Sequence, residues 1–386
     1  MAAQVAAGET KSAPSVPPEV KDIWELGADL KEDEDNSPWG WIRWCHTSKA
    51  ALRKAEENLL SFVKAPMEFG SINVGNFDSS PEEPVKVWTA VINKECSGTP
   101  LVLIHGFASG LGLWALNYDG LAESKRPIYA FDMPGFGQSS RPTFNSDPSI
   151  AEEQFVMYME AWRSKLGLEK MIILGHSMGA FLVFSYALKY PHRVAHMILA
   201  DPWGFSEKPR DLSELAHIPT THRVIVKVLD SLPLNPLWTV RLMGPMGAEL
   251  IKRVRMDLIS NFVHILKDAP SKVANYIFHC NVQKPPTGET AYHSMMSTFG
   301  WAKNPLCRRL TLLDPEIPMT LMYGSRSWVD HYAGEKIQAS RPSSYVKYHV
   351  IVAGHHIYAD TVNAFNSIVL DACEIEQKEQ EVVKLK

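Results

Sequence analysis

The sequence predicts an α/β fold with a mostly parallel central sheet and a helical segment inserted late in the chain. Three observations carry that reading. From about residue 100, short and nearly continuous apolar runs alternate with helical patterns, as expected for parallel strands covered on both faces. A Gly-x-Ser-x-Gly motif, Gly175–Gly179, sits at one strand-to-helix junction. Between residues 203 and 300 the rhythm stops, giving way to Pro, Gly, Met and aromatic residues in short helical pieces.

Each element follows from its own pattern. Residues 1–36 are rich in Ala, Pro, Ser and acid and read as a mostly disordered tail. The Trp-rich SPWGWIRWC then leads into TSKAALRKAEENLLSFV. Thr47 or Ser48 is suited to cap that helix, and Leu52, Ala55, Leu59 and Leu60 fall on one face. VKVWTAVI at 85–92 alternates like an antiparallel strand. PLVLIHGF (100–107), RPIYAFDMPGFG (126–137), KMIILGHSMG (170–179) and Arg193–Asp201 read as buried strands. PMTLMYGSRS (318–327) and YVKYHVIVAGHH (345–356) complete the series. In the last helix Phe365, Ile368, Val369 and Ala372 recur at helical spacing before a charged tail. The chain is thus divided into a tail (1–36), a Trp-rich anchor and helix (37–66), a core (67–202 and 306–375), a helical cap (203–305) and a charged tail (376–386).

Composition narrows the function. Lys+Arg 39 against Asp+Glu 43 leaves a net charge of −4 over 386 residues, which argues against a nucleic-acid binder working through a basic face. Five Cys are scattered without a CxxC pair, so free thiols are expected, with no disulfide framework and no metal site. No apolar run reaches the ~20 residues of a membrane span, and the first residues lack the basic and apolar regions of a signal peptide. No cofactor-binding motif is found.

The chemistry centres on Ser177. With 23 Gly in the chain, about 0.1 accidental Gly-x-Ser-x-Gly match is expected. Here the motif follows the apolar Met171–Leu174 and precedes a helix, the setting of a nucleophile elbow. A Ser hydroxyl needs a base to take its proton and an acid to orient that base. In the order Ser, acid, His, Asp330 and His355 fit; His356 is the rival base. Phe107 and Met178 would supply the backbone N–H groups of an oxyanion hole. Asp132 in DMPGFG reads as scaffold. His355 and Asp360 also form an H-x4-D pattern, for which about 1.5 chance His-x4-acid matches are expected. Asp360 is equally suited to capping the final helix.

These residues together resemble the α/β-hydrolase superfamily. They are similar to its lipid-handling subfamily of lipid-droplet regulators, lysophosphatidic-acid acyltransferases and N-acylphosphatidylethanolamine lipases. The resemblance covers residues 37–373 and rests on WGWIRWC, PLVLIHGF, GLGLWALN, YAFDMPGFGQSSRP, LGHSMG, DPWGF, HCN, ETAY, FGWAK, RPSSYVKY and HHIYAD. It implies an α/β-hydrolase fold with an inserted cap. One branch of the subfamily has Asn in place of the nucleophile and activates a separate triacylglycerol lipase. Ser177 implies hydrolytic competence instead, while Arg326 and Gly354 match that branch.

The expected function is a serine hydrolase acting on acyl esters of glycerolipids or phospholipids. The alternatives are a coactivator of a triacylglycerol lipase and a lysophosphatidic-acid acyltransferase using His355 and Asp360. Trp39, Trp41 and Trp44, with Ile42, Arg43 and Lys49, form an expected anchor to a lipid-droplet or membrane surface. The expected location is cytoplasmic and peripheral, with a triacylglycerol lipase or a droplet coat protein as a protein partner. Trp238, Leu242, Met243, Met246, Leu250, Met256, Met295 and Met296 are suited to lining an apolar tunnel. Arg241, Lys252, Arg253 and Arg255 form either a phosphate-binding or a solvated face.

Overall fold

Nine strands form one sheet in the computed structural model, which describes residues 24–25, 44–45, 47–208, 237–298 and 300–384. In chain order they are β1 (Trp24–Glu25), β2 (Met67–Asn73), β3 (Lys86–Ile92), β4 (Leu101–Ile104), β5 (Ile128–Phe131), β6 (Met171–His176) and β7 (Val194–Ala200). After the short β8 (Met296–Thr298) and β9 (Trp301–Ala302), the sheet is completed by β10 (Met319–Gly324) and β11 (Val346–Ile351). The spatial order is β1-β2-β3-β5-β4-β6-β7-β10-β11. From β5 onward every pairing is parallel, and the first three strands pair antiparallel.

Every residue of β4, β5, β6 and β10 is buried. Their continuous apolar runs are therefore what a sheet covered on both faces requires. β2 is a strand that sequence reading left out: Glu68, Gly70, Ser71 and Asn73 interrupt its apolar content. Pairing with β3, register Met67 with Ile92, supplies what local propensity lacks.

The first long helix, α1 (Lys49–Leu60), begins where Ser48 Oγ accepts from Ala51 N at 3.0 Å. Leu52, Ala55, Leu59 and Leu60 are buried on one side, as their spacing predicts. Glu56 is buried with them and accepts from Trp88 Nε1 and Gln138 Nε2 at 3.0 and 2.7 Å. Burial pushes its carboxyl well above the usual range. After the short α2 (Tyr118–Ala122), helices α3 (Pro148–Lys165) and α4 (Met178–Lys189) pack on the sheet and on each other.

The described part of the stretch between β7 and β10 contributes no strand to the sheet. It holds α5 (Trp238–Leu242), α6 (Gly247–Val254), α7 (Met256–Ile259), α8 (Ala269–Val282) and α9 (Thr287–Met295). It adds the antiparallel β8–β9 hairpin, which the sequence reading did not contain. α1 packs against α8. The apolar-tunnel expectation fails for half of its residues: Trp238, Leu242, Met246 and Met256 are exposed on the outer face of these helices.

Beyond β10 lie α10 (Tyr332–Ser340), α11 (Ile357–Asp360) and α12 (Val362–Lys384). The last helix continues through the charged stretch expected to be a tail. Buried Glu376 holds it down: its carboxylate accepts from Arg126 Nη1 at 3.2 Å, and Arg126 also donates to Thr99 O and Cys373 O. Residues 1–23 and 26–43, including Trp39 and Trp41, and residues 209–236 lie outside the described residues.

Candidate active site

Ser177 sits between β6 and α4 with φ 54° and ψ −118°, a left-handed backbone that a residue with a side chain adopts only under constraint. Two glycines supply the constraint. A Cβ at Gly179 would stand 2.5 Å from Ile104 O and 2.6 Å from His105 O, so only glycine lets α4 approach β4 this closely. A Cβ at Gly106 would stand 2.9 Å from His176 Nδ1 and 3.1 Å from Ser177 Cβ. The segment after β4 therefore runs against the turn at Ser177, with Gly106, the residue before Phe107, in closest approach.

His355 closes on Ser177 from the loop after β11. Its Nε2 lies 3.0 Å from Ser177 Oγ, and its Nδ1 lies 2.6 Å from Asp201 Oδ2. A carboxylate oxygen can only accept, so Nδ1 carries the proton and Nε2 faces the hydroxyl as an acceptor. The carboxylate on His355 is thus Asp201, and the expectation of Asp330 in that place is corrected. Asp201 directly follows β7, is fully buried and has φ 47°. Its Oδ1 accepts from Gly324 N at 3.0 Å, and its Oδ2 also accepts from Ser327 Oγ. Asp330 instead accepts from Tyr332 N at 3.0 Å. It lines a cavity of about 1070 Å³ with Trp203, Phe205, Trp301, Trp328 and Tyr332.

Asp201 satisfies the chain order Ser, acid, His as well as Asp330 does. Its signal was available in DPWGF, where an acid directly follows a buried strand. What separates the two is strand order: β7 lies beside β6, whereas β10 is one strand further from the nucleophile.

Two further histidines fix the loops. His176 Nε2 donates to His355 O at 2.9 Å, so the residue preceding Ser177 holds the backbone of His355. Burial, with the neighbouring His355 second, pushes His176 well below the usual histidine range. His105 Nδ1 donates to Gly106 O at 2.8 Å, and its Nε2 accepts from Met133 N at 3.0 Å. Both nitrogens are thereby assigned in a neutral ring, which burial pushes down to about 4. Trp328 packs on the His355 ring with centroids 4.8 Å apart. Phe107 stacks on Tyr292 at 4.2 Å.

Asp132 behaves as the scaffold that sequence reading expected. It accepts from Leu111 N and Gln138 N, both at 2.8 Å. Burial raises its carboxyl to about 6.

His176, His355 and His356 place one ligand-capable atom each within 4.8 Å of one another. All three rings already have hydrogen-bonding partners, and Arg255 donates to His356 Nε2. A guanidinium on the third ring opposes a cation there.

Asp360 does not cap the last helix. Its carboxylate accepts from Gly354 N at 2.6 Å and from Asn261 Nδ2 at 2.7 Å. Among the four basic residues considered for a head group, Arg241 is spent on Glu289 at 2.5 Å. Lys252 pairs with Glu249 at 3.2 Å and Arg255 with Asp257 at 3.2 Å. Trp44 donates its indole N–H to Leu242 O at 2.6 Å while 60 % of its surface stays exposed.

Residues 99–361 match the family model described as alpha/beta hydrolase fold. The chain belongs to the α/β-hydrolase family. A mouse protein named (lyso)-N-acylphosphatidylethanolamine lipase is 40 % identical over 351 residues, covering 89 % of this chain and 99 % of the relative. A human protein named 1-acylglycerol-3-phosphate O-acyltransferase ABHD5 is 44 % identical over 330 residues, covering 85 % and 91 %. Among solved structures, naproxen esterase from Bacillus subtilis aligns with a TM-score of 0.56 at 17 % identity, over 86 % of this chain and 97 % of that one. That likeness concerns the fold.

Proposed function

We propose that this α/β-hydrolase is a serine hydrolase that cleaves acyl ester bonds of glycerophospholipids or related glycerolipids. The observation that carries the reading is the continuous relay from Ser177 Oγ through His355 to buried Asp201, at 3.0 and 2.6 Å. The relatives named above, whose printed activities concern acylated phospholipids, support the substrate class.

Ser177 Oγ attacks the acyl carbonyl while His355 Nε2 takes its proton. Asp201 keeps the imidazole in the Nδ1–H tautomer and stabilises the imidazolium that forms. The N–H groups of Phe107 and Met178 receive the charge that develops on the carbonyl oxygen. The imidazolium returns its proton to the departing alcohol. His355 then activates water, which frees the fatty acid and regenerates Ser177. The step needs no metal or organic cofactor from these residues.

Acyl transfer is the second reading, favoured by the name of the 44 % identical relative. It differs only in the acceptor, a lysophospholipid hydroxyl in place of water on the same acyl-Ser177. We further propose that the protein works at a lipid-droplet or membrane surface, with Trp44 and the outer face of the inserted helices against the lipid. No helix among the described residues is long and apolar enough to cross a membrane.

The test is Ser177→Ala. Fluorophosphonate labelling and release of fatty acid from phospholipid vesicles should both vanish, and labelling equal to the wild type refutes the nucleophile assignment.

A further inference from the structure

The loop that carries His355 is held from outside the core. Gly354, directly before the base, gives its N–H to Asp360 Oδ2 at 2.6 Å, closing residues 354–360 into a tight turn. The other oxygen of that carboxylate accepts from Asn261 Nδ2 at 2.7 Å, and Asn261 belongs to the inserted helices. Arg255, also on the insertion and between α6 and α7, donates to Nε2 of His356, directly after the base. One short stretch of the insertion therefore grips the catalytic loop at both ends, a separation of 99 residues at one contact and 101 at the other. The neighbours of Asn261 anchor it: Phe262 is fully buried and meets Phe62 edge-on at 6.5 Å.

We infer that Asn261 and Arg255 are positioning residues for the base, and that Asp360 acts as the clamp between Asn261 and Gly354, while Arg255 holds His356 directly. The inference rests on reading His355 as the general base. Its physical content is geometric: the Oγ–Nε2 distance of 3.0 Å is useful only while the ring stays in line. The core fixes the ring through Asp201 and through His176 on its carbonyl, and the insertion fixes the two flanking residues. A shift of the inserted helices moves the base with them. The same assignment gives the acid of the H-x4-D pattern a role in holding the loop, with no part in proton transfer.

The experiment compares Asn261→Ala, Arg255→Gln, Asp360→Asn and the exchanged pair Asn261→Asp with Asp360→Asn. In the exchanged pair the amide oxygen introduced at position 360 still accepts from Gly354 N, and the amide NH2 donates to the carboxylate introduced at position 261. Readouts are the fluorophosphonate labelling rate, kcat and KM on a short soluble p-nitrophenyl ester, and hydrogen exchange of residues 353–361. Asn261→Ala should lower kcat and the labelling rate by about 10- to 100-fold, the scale of an ångström's misplacement. KM should stay unchanged and exchange at residues 354–356 should rise. The exchanged pair should restore both rate and protection to within about threefold. The side chain in Arg255→Gln is too short to reach His356, so this variant should also lower the rate and raise exchange at residue 356, by less than Asn261→Ala; unchanged rate and exchange there count against the grip of Arg255.

Unchanged rate and exchange in Asn261→Ala overturn the inference. So does an exchanged pair that recovers protection but remains as inactive as Asp360→Asn, because the carboxylate itself would then be chemical. A wild-type protein that neither labels nor cleaves the ester refutes the hydrolase reading alone, and exchange still decides the clamp. If Asn261→Ala does not fold, Arg255→Gln and the exchanged pair decide it by the same readouts.

Discussion

Replacing Asp201 with Asn tests which carboxylate serves the base. Asp201 is fully buried and accepts from His355 Nδ1 at 2.6 Å and from Gly324 N at 3.0 Å. An amide of the same shape keeps the Gly324 contact through its oxygen and turns its NH2 toward His355 and Ser327. Two donors cannot face each other, so the imidazole gives up the Nδ1 proton and carries it on Nε2. The lone pair that should receive the Ser177 proton is then gone. A wrong tautomer of this kind costs about 10⁴-fold in kcat, or about 5.5 kcal/mol. Asp330→Asn should change kcat by no more than about twofold, because its side-chain hydrogen bond from Tyr332 N, at 3.0 Å, survives in the amide oxygen. The assay is the steady-state rate on a soluble ester together with fluorophosphonate labelling, on variants with matched melting temperatures. A greater loss in Asp330→Asn than in Asp201→Asn refutes the assignment.

Acid should destabilise the fold. Burial holds His105 and His196 down to about 4, so below about pH 6.5 the unfolded chain takes up protons that the folded one refuses. The stability they contribute is complete above that pH and lost on the way to pH 4, at about 3 kcal/mol each. Asp132, raised to about 6, works the other way and returns about 3 kcal/mol over nearly the same window. His176 and His356, held well below the usual histidine range, add to the loss, and Glu56, held well above the carboxylate range, opposes it with Asp132. With four histidines against two carboxyls, melting temperature should fall from pH 7 to pH 4.5, and a flat profile counts against the histidines. Gly179→Ala places a methyl 2.5 Å from Ile104 O and 2.6 Å from His105 O. Because both obstacles are backbone, it should cost at least about 2 kcal/mol in urea unfolding and abolish labelling. Leu242 and Met246, exposed by 53 and 56 % beside Trp44, should contribute to lipid binding at about 1–2 kcal/mol each. Changing both to Ser should reduce sedimentation with lipid emulsions at least tenfold, and undiminished binding removes this face from the contact.

Local pattern reached far into the fold. The buried strands around the site are continuous apolar runs whose burial needs no knowledge of their neighbours, and Ser48 and the Leu52–Leu59 spacing were enough for α1. β2 escaped because its polar residues are tolerated only by pairing with β3. The tunnel residues escaped for a related reason: a Met or Trp on a short helix has a periodicity, but nothing in the chain says what covers it.

The sequence by itself singled out Ser177 and His355, which the fold brings to 3.0 Å of each other. Ser177 is marked by glycines that a strained turn requires within two residues, and His355 by a glycine and a strand end directly before it. The choice of acid belonged to the tertiary structure. Asp201 and Asp330 both follow β-strands and both stand between Ser177 and His355 in the chain. Only the placing of β7 beside β6 brings one of them under the imidazole. The grip of Asn261 and Arg255 on the base loop was likewise out of reach. It joins residues about 100 positions apart, and no local period or propensity encodes a contact between two surfaces that meet only after the chain has folded.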